Sequence, residues 1–204
     1  MTEASSAPTD AQDSAWASII TPLSPSALRV FCADVQRLLR INPLLEFQRW
    51  EQTGAESFHF KGRNLSQDPA FDIDTDLQVE AVDDGLVIHY SSGLKSATRI
   101  KIEPAANGSQ LTIVDTYDRV SEDERRARLH EVDKSLVPWA RYLQEFLISW
   151  RRWSWLAPWR WYMRRVWQPM KPSARRIVYM LWWITLVEIV VIFAIAIVFW
   201  TRVA

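Results

Sequence analysis

A single cysteine, Cys32, in 204 residues leaves no partner for an intrachain disulfide and rules out a Cys-rich zinc site. It fits a reducing compartment and is read as a small buried hydrophobe. The five glycines form neither GxGxxG nor GxxxxGK(S/T), so no glycine loop of either kind cradles a phosphate. The three histidines, His59, His89 and His130, are too scattered for a His-rich metal centre, and no Ser/His/Asp or Cys/His grouping can be read from the spacing. No metal and no cofactor are expected. Net charge is also lacking: 24 basic and 24 acidic side chains cancel, which argues against a globally basic nucleic-acid binder. The opening MTEASSAPTDAQDSAW has no apolar core of a signal peptide, and residues 1–13 are expected to be disordered.

Tryptophan, by contrast, is abundant at twelve copies, and charge is unevenly distributed. Residues 1–150 carry 15 basic and 23 acidic side chains, whereas residues 151–204 carry nine basic and one acidic. Eight of those nine basics lie between Arg151 and Arg176, where there is no acid. An acidic domain is joined to a segment suited to anionic surfaces.

From Ile177 to Trp200 the chain reads IVYMLWWITLVEIVVIFAIAIVFW, with Thr185 and Glu188 as its clearly polar members. As a helix this segment reaches roughly 36 Å, enough for a hydrocarbon core of ~30 Å. Trp182, Trp183 and Trp200 suit the two headgroup boundaries. Arg160, Arg164, Arg165, Lys171, Arg175 and Arg176 precede the span and only Arg202 follows it. The positive side stays inside, so a single-pass, C-terminally anchored protein with a cytoplasmic N-terminal domain is expected (at the inner membrane in a bacterium), with tail 201–204 outside. Glu188 lies near the bilayer midplane, where an ionised carboxylate costs about 3 kcal/mol. Two readings stand for it: a bond to Thr185, or an intramembrane contact with a partner helix, a second copy or a polar lipid group.

Residues 151–176 form a collar before the span. The stretch WRRWSWLAPWRWYMRRVWQ holds six tryptophans and five arginines. Pro158 suits a first helical turn, and Trp159, Tyr162, Met163 and Val166 then share one helical face, with Arg160 and Arg164 on another. This predicts an interfacial helix, with Trp153, Trp155, Trp159, Tyr162, Met163, Val166 and Trp167 at the lipid boundary and Arg160, Arg164 and Arg165 on phosphates. Pro169 and Pro172 break the chain before the span.

In the soluble part, residues 14–150, SAWASIIT reads as a strand, Ser24-Pro25 as the cap and first turn of a helix, and Asp34 as the cap of a second helix that Asn42-Pro43 ends. Period-2 alternation then predicts strands over 44–51, 57–65, 70–81, 86–91, 97–103 and 110–118, with a hairpin at Asn107-Gly108. Asp72, Asp74 and Asp76 fall on one outward face, about 7 Å between neighbours, and are read as solvated. Ser121 and Glu124 match a capping box, and an apolar stripe through Leu129, Val132, Leu136, Trp139 or Ala140, Leu143, Phe146 or Leu147, and Trp150 predicts one long helix kinked at Pro138.

A strand, two short helices, a meander and one long helix make an α+β order that resembles the START-like, helix-grip (SRPBCC) superfamily. The segment SPSALRVFCADVQRLLRINPLLEFQRWE is similar to its two-helix segment running into the second strand. That superfamily includes polyketide cyclase/dehydrase-like proteins, pollen-allergen-type ligand binders and lipid-transfer domains; most lack a C-terminal anchor. The resemblance implies an antiparallel sheet gripping the long helix around an apolar cavity. By alternation, Phe58, Phe60, Phe71, Ile73, Leu77, Ile88, Ile100, Leu111 and Ile113 line its sheet side, and Leu136, Trp139, Leu143 and Leu147 its helix side. Thr75, Tyr90, Thr98, Asp115 and Tyr117 are the polar handles. The expected partners are a hydrophobic molecule (lipid, isoprenoid or quinone-like), the membrane, and a transmembrane partner or second copy at Glu188; nucleic acid is not expected. The alternative functions are an accessory subunit of a membrane complex and a cyclase or dehydratase, the latter carried by the resemblance alone.

Overall fold

A computed structural model of the chain describes residues 14–119, 121, 123 and 132–203. Strand β1 (Ser14–Thr21) leads into α1 (Pro25–Cys32) and α2 (Val35–Arg40). Six strands follow: β2 (Leu45–Gln52), β3 (Ser57–Asn64), β4 (Phe71–Val82), β5 (Gly85–Tyr90), β6 (Ala97–Ala105) and β7 (Gly108–Thr116). The described helices after the sheet are α3 (Leu136–Trp153), α4 (Ala157–Tyr162) with a π-type turn Met163–Trp167, and α5 (Pro172–Val203).

The short helices start where the sequence supplies caps. Ser24 Oγ accepts from the Ala27 amide at 3.3 Å, and Asp34 Oδ1 accepts from the Arg37 amide at 3.1 Å. Asn42 ends the pair and links it to Ser135, just before α3. Its Oδ1 accepts from the Leu44 amide at 2.9 Å, and its Nδ2 donates to Ser135 Oγ at 2.7 Å.

The seven strands form one antiparallel sheet in the order β1-β7-β6-β5-β4-β3-β2. The meander explains all neighbours but one: β1 closes onto β7, from Ser14 opposite Thr116 to Thr21 opposite Ser109. Alternation assigns the faces. On the outer face, the acidic row of β4 meets the basic row of β3, with Lys61 to Asp74 at 3.1 Å, His59 to Asp76 at 2.8 Å and Arg63 to Asp72 at 3.8 Å. The inner face carries the core, and α3 lies over β1 and β7.

Two expectations need correction. Ala105 pairs with Gly108, so the β6–β7 hairpin turns through Ala106 and Asn107, and Gly108 opens β7. The long helix begins only at Leu136, and Val132 precedes it. Pro138 therefore lies in its first turn, where an amide has no intrahelical acceptor to lose, and it causes no kink. Glu124 and Leu129 of the expected capping box and stripe lie outside the described residues. Helix α5 runs unbroken from Pro172, is long and apolar enough to cross a membrane (mean hydropathy 2.6), and has none of that window buried within the protein.

Candidate functional site

The inner-face register is as the alternation implies. Phe60, Thr75, Leu77, Ile88, Tyr90, Thr98, Ile100, Leu111, Ile113, Asp115 and Tyr117 are buried on the sheet, and Leu136, Trp139, Leu143 and Leu147 on α3. Phe58, Phe71 and Ile73 are half-buried. Ile88, Thr98, Ile100, Leu111, Ile113, Asp115, Leu143 and Leu147 each have 0% exposure. A side chain lining a chamber that admits water keeps accessible surface, so the space along these residues is filled. An open cleft of about 500 Å³ lies elsewhere, among Pro22, Leu23, Pro25, Asn107 and Arg151.

Four of the five polar handles converge at one end of this interior. Thr98 and Asp115 are directly opposite on β6 and β7, and Thr98 Oγ1 donates to Asp115 Oδ1 at 2.5 Å. Tyr90 Oη is 3.2 Å from Thr98 Oγ1, so the phenol can donate to the hydroxyl and extend the chain. Tyr117, two residues beyond Asp115, buries its hydroxyl without a partner. Thr75 stands apart: its Oγ1 accepts from the Ser92 amide at 3.2 Å and holds the β5–β6 loop.

Two further members carry no sequence signal. Lys95, from that loop, reaches Asp115 Oδ2 at 3.2 Å and Asp133 Oδ2 at 3.0 Å. Asp133, just before α3, accepts from the Ser135 amide at 2.8 Å through Oδ1. Sequence reasoning misses Lys95 and Asp133, because their pairing depends on segments brought together across the sheet. One ammonium serves two carboxylates. Burial works against ionising Asp133, but Lys95 and the Ser135 hydrogen bonds outweigh it and bring the acid down to about 2. Burial pushes the Asp115 carboxyl up, with Lys95 opposing and Asp133 reinforcing. Burial also opposes the charge on Lys95, yet its acidic neighbours hold the ammonium well above the usual lysine value. Tyr90 and Tyr117 are raised, chiefly by burial. The cluster ties the β5–β6 loop, β7 and the start of α3 together. Its innermost acid, Asp115, is fully buried.

Half-buried rings lie at the other edge of the sheet. Strand β2 shifts register between Phe47 and Arg49, and this bulge places Phe47 opposite Gly62 and Trp50 opposite Phe60. Ring centroids are 4.8 Å apart for Phe47–Phe60 and 5.0 Å for Trp50–Phe58. Phe47, Trp50, Phe58 and Ile73 make a half-buried aromatic shelf. Phe47 and Trp50 escape a strict period-2 reading because the spacing FQRW is out of phase for a regular strand. The shelf adjoins the foot of α5: the Arg40 guanidinium lies 4.5 Å over the Phe47 ring, and Lys171 Nζ donates to Glu46 Oε1 at 2.7 Å.

The collar is differently disposed from the expected interfacial helix. Met163 is buried, and Trp159, Tyr162 and Trp167 pack against the core. Trp167 stacks on Phe146 with centroids 5.7 Å apart, and Trp159 meets Trp150 at 5.5 Å. The domain presents its own aromatic surface on α3, and the collar's apolar stripe closes on it. Val166 is half-buried; Trp153, Trp155, Arg160, Arg164 and Arg165 remain exposed. On α5, Thr185 and Glu188 are both exposed. Cys32 is buried, which pushes its thiol up to about 12 and leaves it inert.

Neither a protein-family model nor a curated protein matches this sequence. Solved structures do. The crystal structure of TTHA0849 from Thermus thermophilus superimposes with a TM-score of 0.50 at 12% identity, over 67% of this chain and 97% of that one. The NMR solution structure of KanY protein (ms6282) gives 0.51 at 14% identity, over 67% and 94%. At such identities the likeness is one of fold. The chain has a helix-grip α+β fold, followed by an apolar helix of membrane-spanning length.

Proposed function

We propose that this chain is a START-like domain tethered to a membrane by α5, its domain on the cytoplasmic side, where it binds a hydrophobic molecule of lipid, isoprenoid or quinone type for transfer, presentation or sensing. The observation that carries this reading is the aromatic shelf of Phe47, Trp50 and Phe58 on the open edge of the grip, beside the foot of α5. Flat rings that keep part of their surface exposed gain about 25 cal/mol per Å² when an apolar partner covers them. Because the interior over β6 and β7 is filled, the ligand belongs on the shelf and not deep beneath α3. The test is to release the full chain from membranes with its surrounding lipid and identify the co-purifying molecules. Enrichment of one apolar species, reduced about tenfold in Trp50→Ala with Phe58→Ala, is the expected result. A lipid profile identical to bulk membrane, for both proteins, ends the proposal.

The filled interior over β6 and β7 and the exposed Glu188 support a second reading, an accessory subunit that docks through α5. Crosslinking in membranes separates the two. Under this reading Glu188→Leu releases a crosslinked partner and leaves the lipid profile unchanged.

A further inference from the structure

Arg37 of α2 enters a box of three rings. Its guanidinium carbon lies 4.1 Å from the Trp150 centroid, 4.5 Å from Phe31 and 5.4 Å from Phe146. The residue is 9% exposed, and its Nε and Nη2 are buried without a hydrogen-bond partner. The acid closest in sequence, Asp34, spends Oδ1 on the cap of α2. A second cation stands at the same ring: the Arg164 guanidinium lies 5.5 Å from the Trp150 centroid. Burial, then Arg164, lower Arg37 to about 10, with Asp34 opposing. Gln168 follows Trp167, which stacks on Phe146, and it too buries an amide nitrogen, Nε2, without a partner.

Three neighbouring cations are already engaged. Arg175 donates through Nε to the Trp167 carbonyl at 3.1 Å and through Nη2 to the Gln168 carbonyl at 2.8 Å. Lys171 is paired with Glu46. Arg40 covers Phe47. Arg37 and Arg164 share the Trp150 ring, and Asp34 is the one acid acting on Arg37. A buried cation without a counter-charge is costly, and buried donors want acceptors. The fork of an arginine matches the oxygens of a phosphate, and aromatic faces hold the guanidinium plane in place.

We propose that Arg37 and Arg164, which meet at the Trp150 ring, form a binding site for a phosphate group beside the foot of α5. With α5 in a bilayer this is the height of the headgroups, and the phosphate is that of an anionic lipid. A free phosphate ion offers the same chemistry. The lipid source rests on α5 being a membrane span, whereas the phosphate chemistry does not.

The full chain is placed in dodecyl maltoside micelles, and its unfolding temperature is followed while phosphatidylglycerol or inorganic phosphate is added. The expected result is a rise with phosphatidylglycerol, with apparent affinity about tenfold weaker in Arg164→Gln, whose side chain is on the surface and whose loss leaves the fold intact. Arg37→Gln abolishes the rise. An equal, arginine-dependent rise with inorganic phosphate supports the site and assigns it to the free ion. No rise with either, or a rise unchanged in both variants, overturns the proposal. Trp50 and Phe58 are not in this site, so their substitution leaves the rise intact, and failure here is separate from failure of the shelf.

Discussion

The Lys95 ammonium lies 3.2 Å from Asp115, an acid with 0% exposure on the innermost row of the sheet, and uses its remaining reach on Asp133. Removing the cation while leaving both acids isolates charge in a dry site. Lys95→Met is expected to cost about 3 kcal/mol, read from urea unfolding of the full chain in detergent. Adding Asp115→Leu to it should recover most of that loss. Equal midpoints for the native chain and Lys95→Met would show that the cluster does not hold the loop.

The two acids of this cluster act on stability in opposite directions. Asp133 falls from 3.8 to about 2 on folding, so its stabilisation is complete above the ordinary value and is lost as pH falls through about 2. That contribution is about 2 kcal/mol. Asp115 is raised, so it favours folding below its ordinary value and loses that as pH rises through the raised one. Acid-dependent thermal unfolding between about pH 4 and pH 2 should therefore flatten in Asp133→Asn. An unchanged acid slope in that variant contradicts the assignment.

Gly108 opens β7 at φ +137°, and a Cβ there would lie 2.0 Å from the Thr21 carbonyl oxygen. Neither the backbone angle nor the space tolerates a side chain. Gly108→Ala is expected to lose about 2 kcal/mol or more, and hydrogen exchange should quicken in β1, the strand that must retreat. Native protection in β1 would refute the close approach.

Trp167 joins the collar to the domain through Phe146 and carries the Arg175 guanidinium 4.3 Å over its ring. Trp167→Ala should cost about 2 kcal/mol and raise hydrogen exchange from Phe146 to Gln168 while leaving β4–β6 unaffected. A uniform increase across the sheet would mean that the collar is not a separately opening unit.

Several features were legible in the residues. The Ser24 and Asp34 caps, the outward row of Asp72, Asp74 and Asp76, and the inward row of Ile88, Ile100 and Ile113 follow from interactions within a few residues, or from the two-residue period that sends neighbouring side chains to opposite faces. The apolar run in α5 follows from composition. Lys95 and Asp133 were not legible, since neither has a local pattern and each has its partner on a distant element. Phe47 and Trp50 were hidden by the bulge that brings them to one face.

Short-range stereochemistry and hydropathy thus sufficed for element order, strand faces and a helix of bilayer length. Packing between remote segments alone chose to fill the grip over β6 and β7, leave an aromatic edge at β2 and β3, and fold the tryptophan-rich collar back onto α3. The reason is that an apolar stripe encodes only that it will be covered. The covering surface, whether lipid, ligand or the Phe146–Trp150 face of the same chain, is selected by which complementary shape the rest of the fold brings within reach.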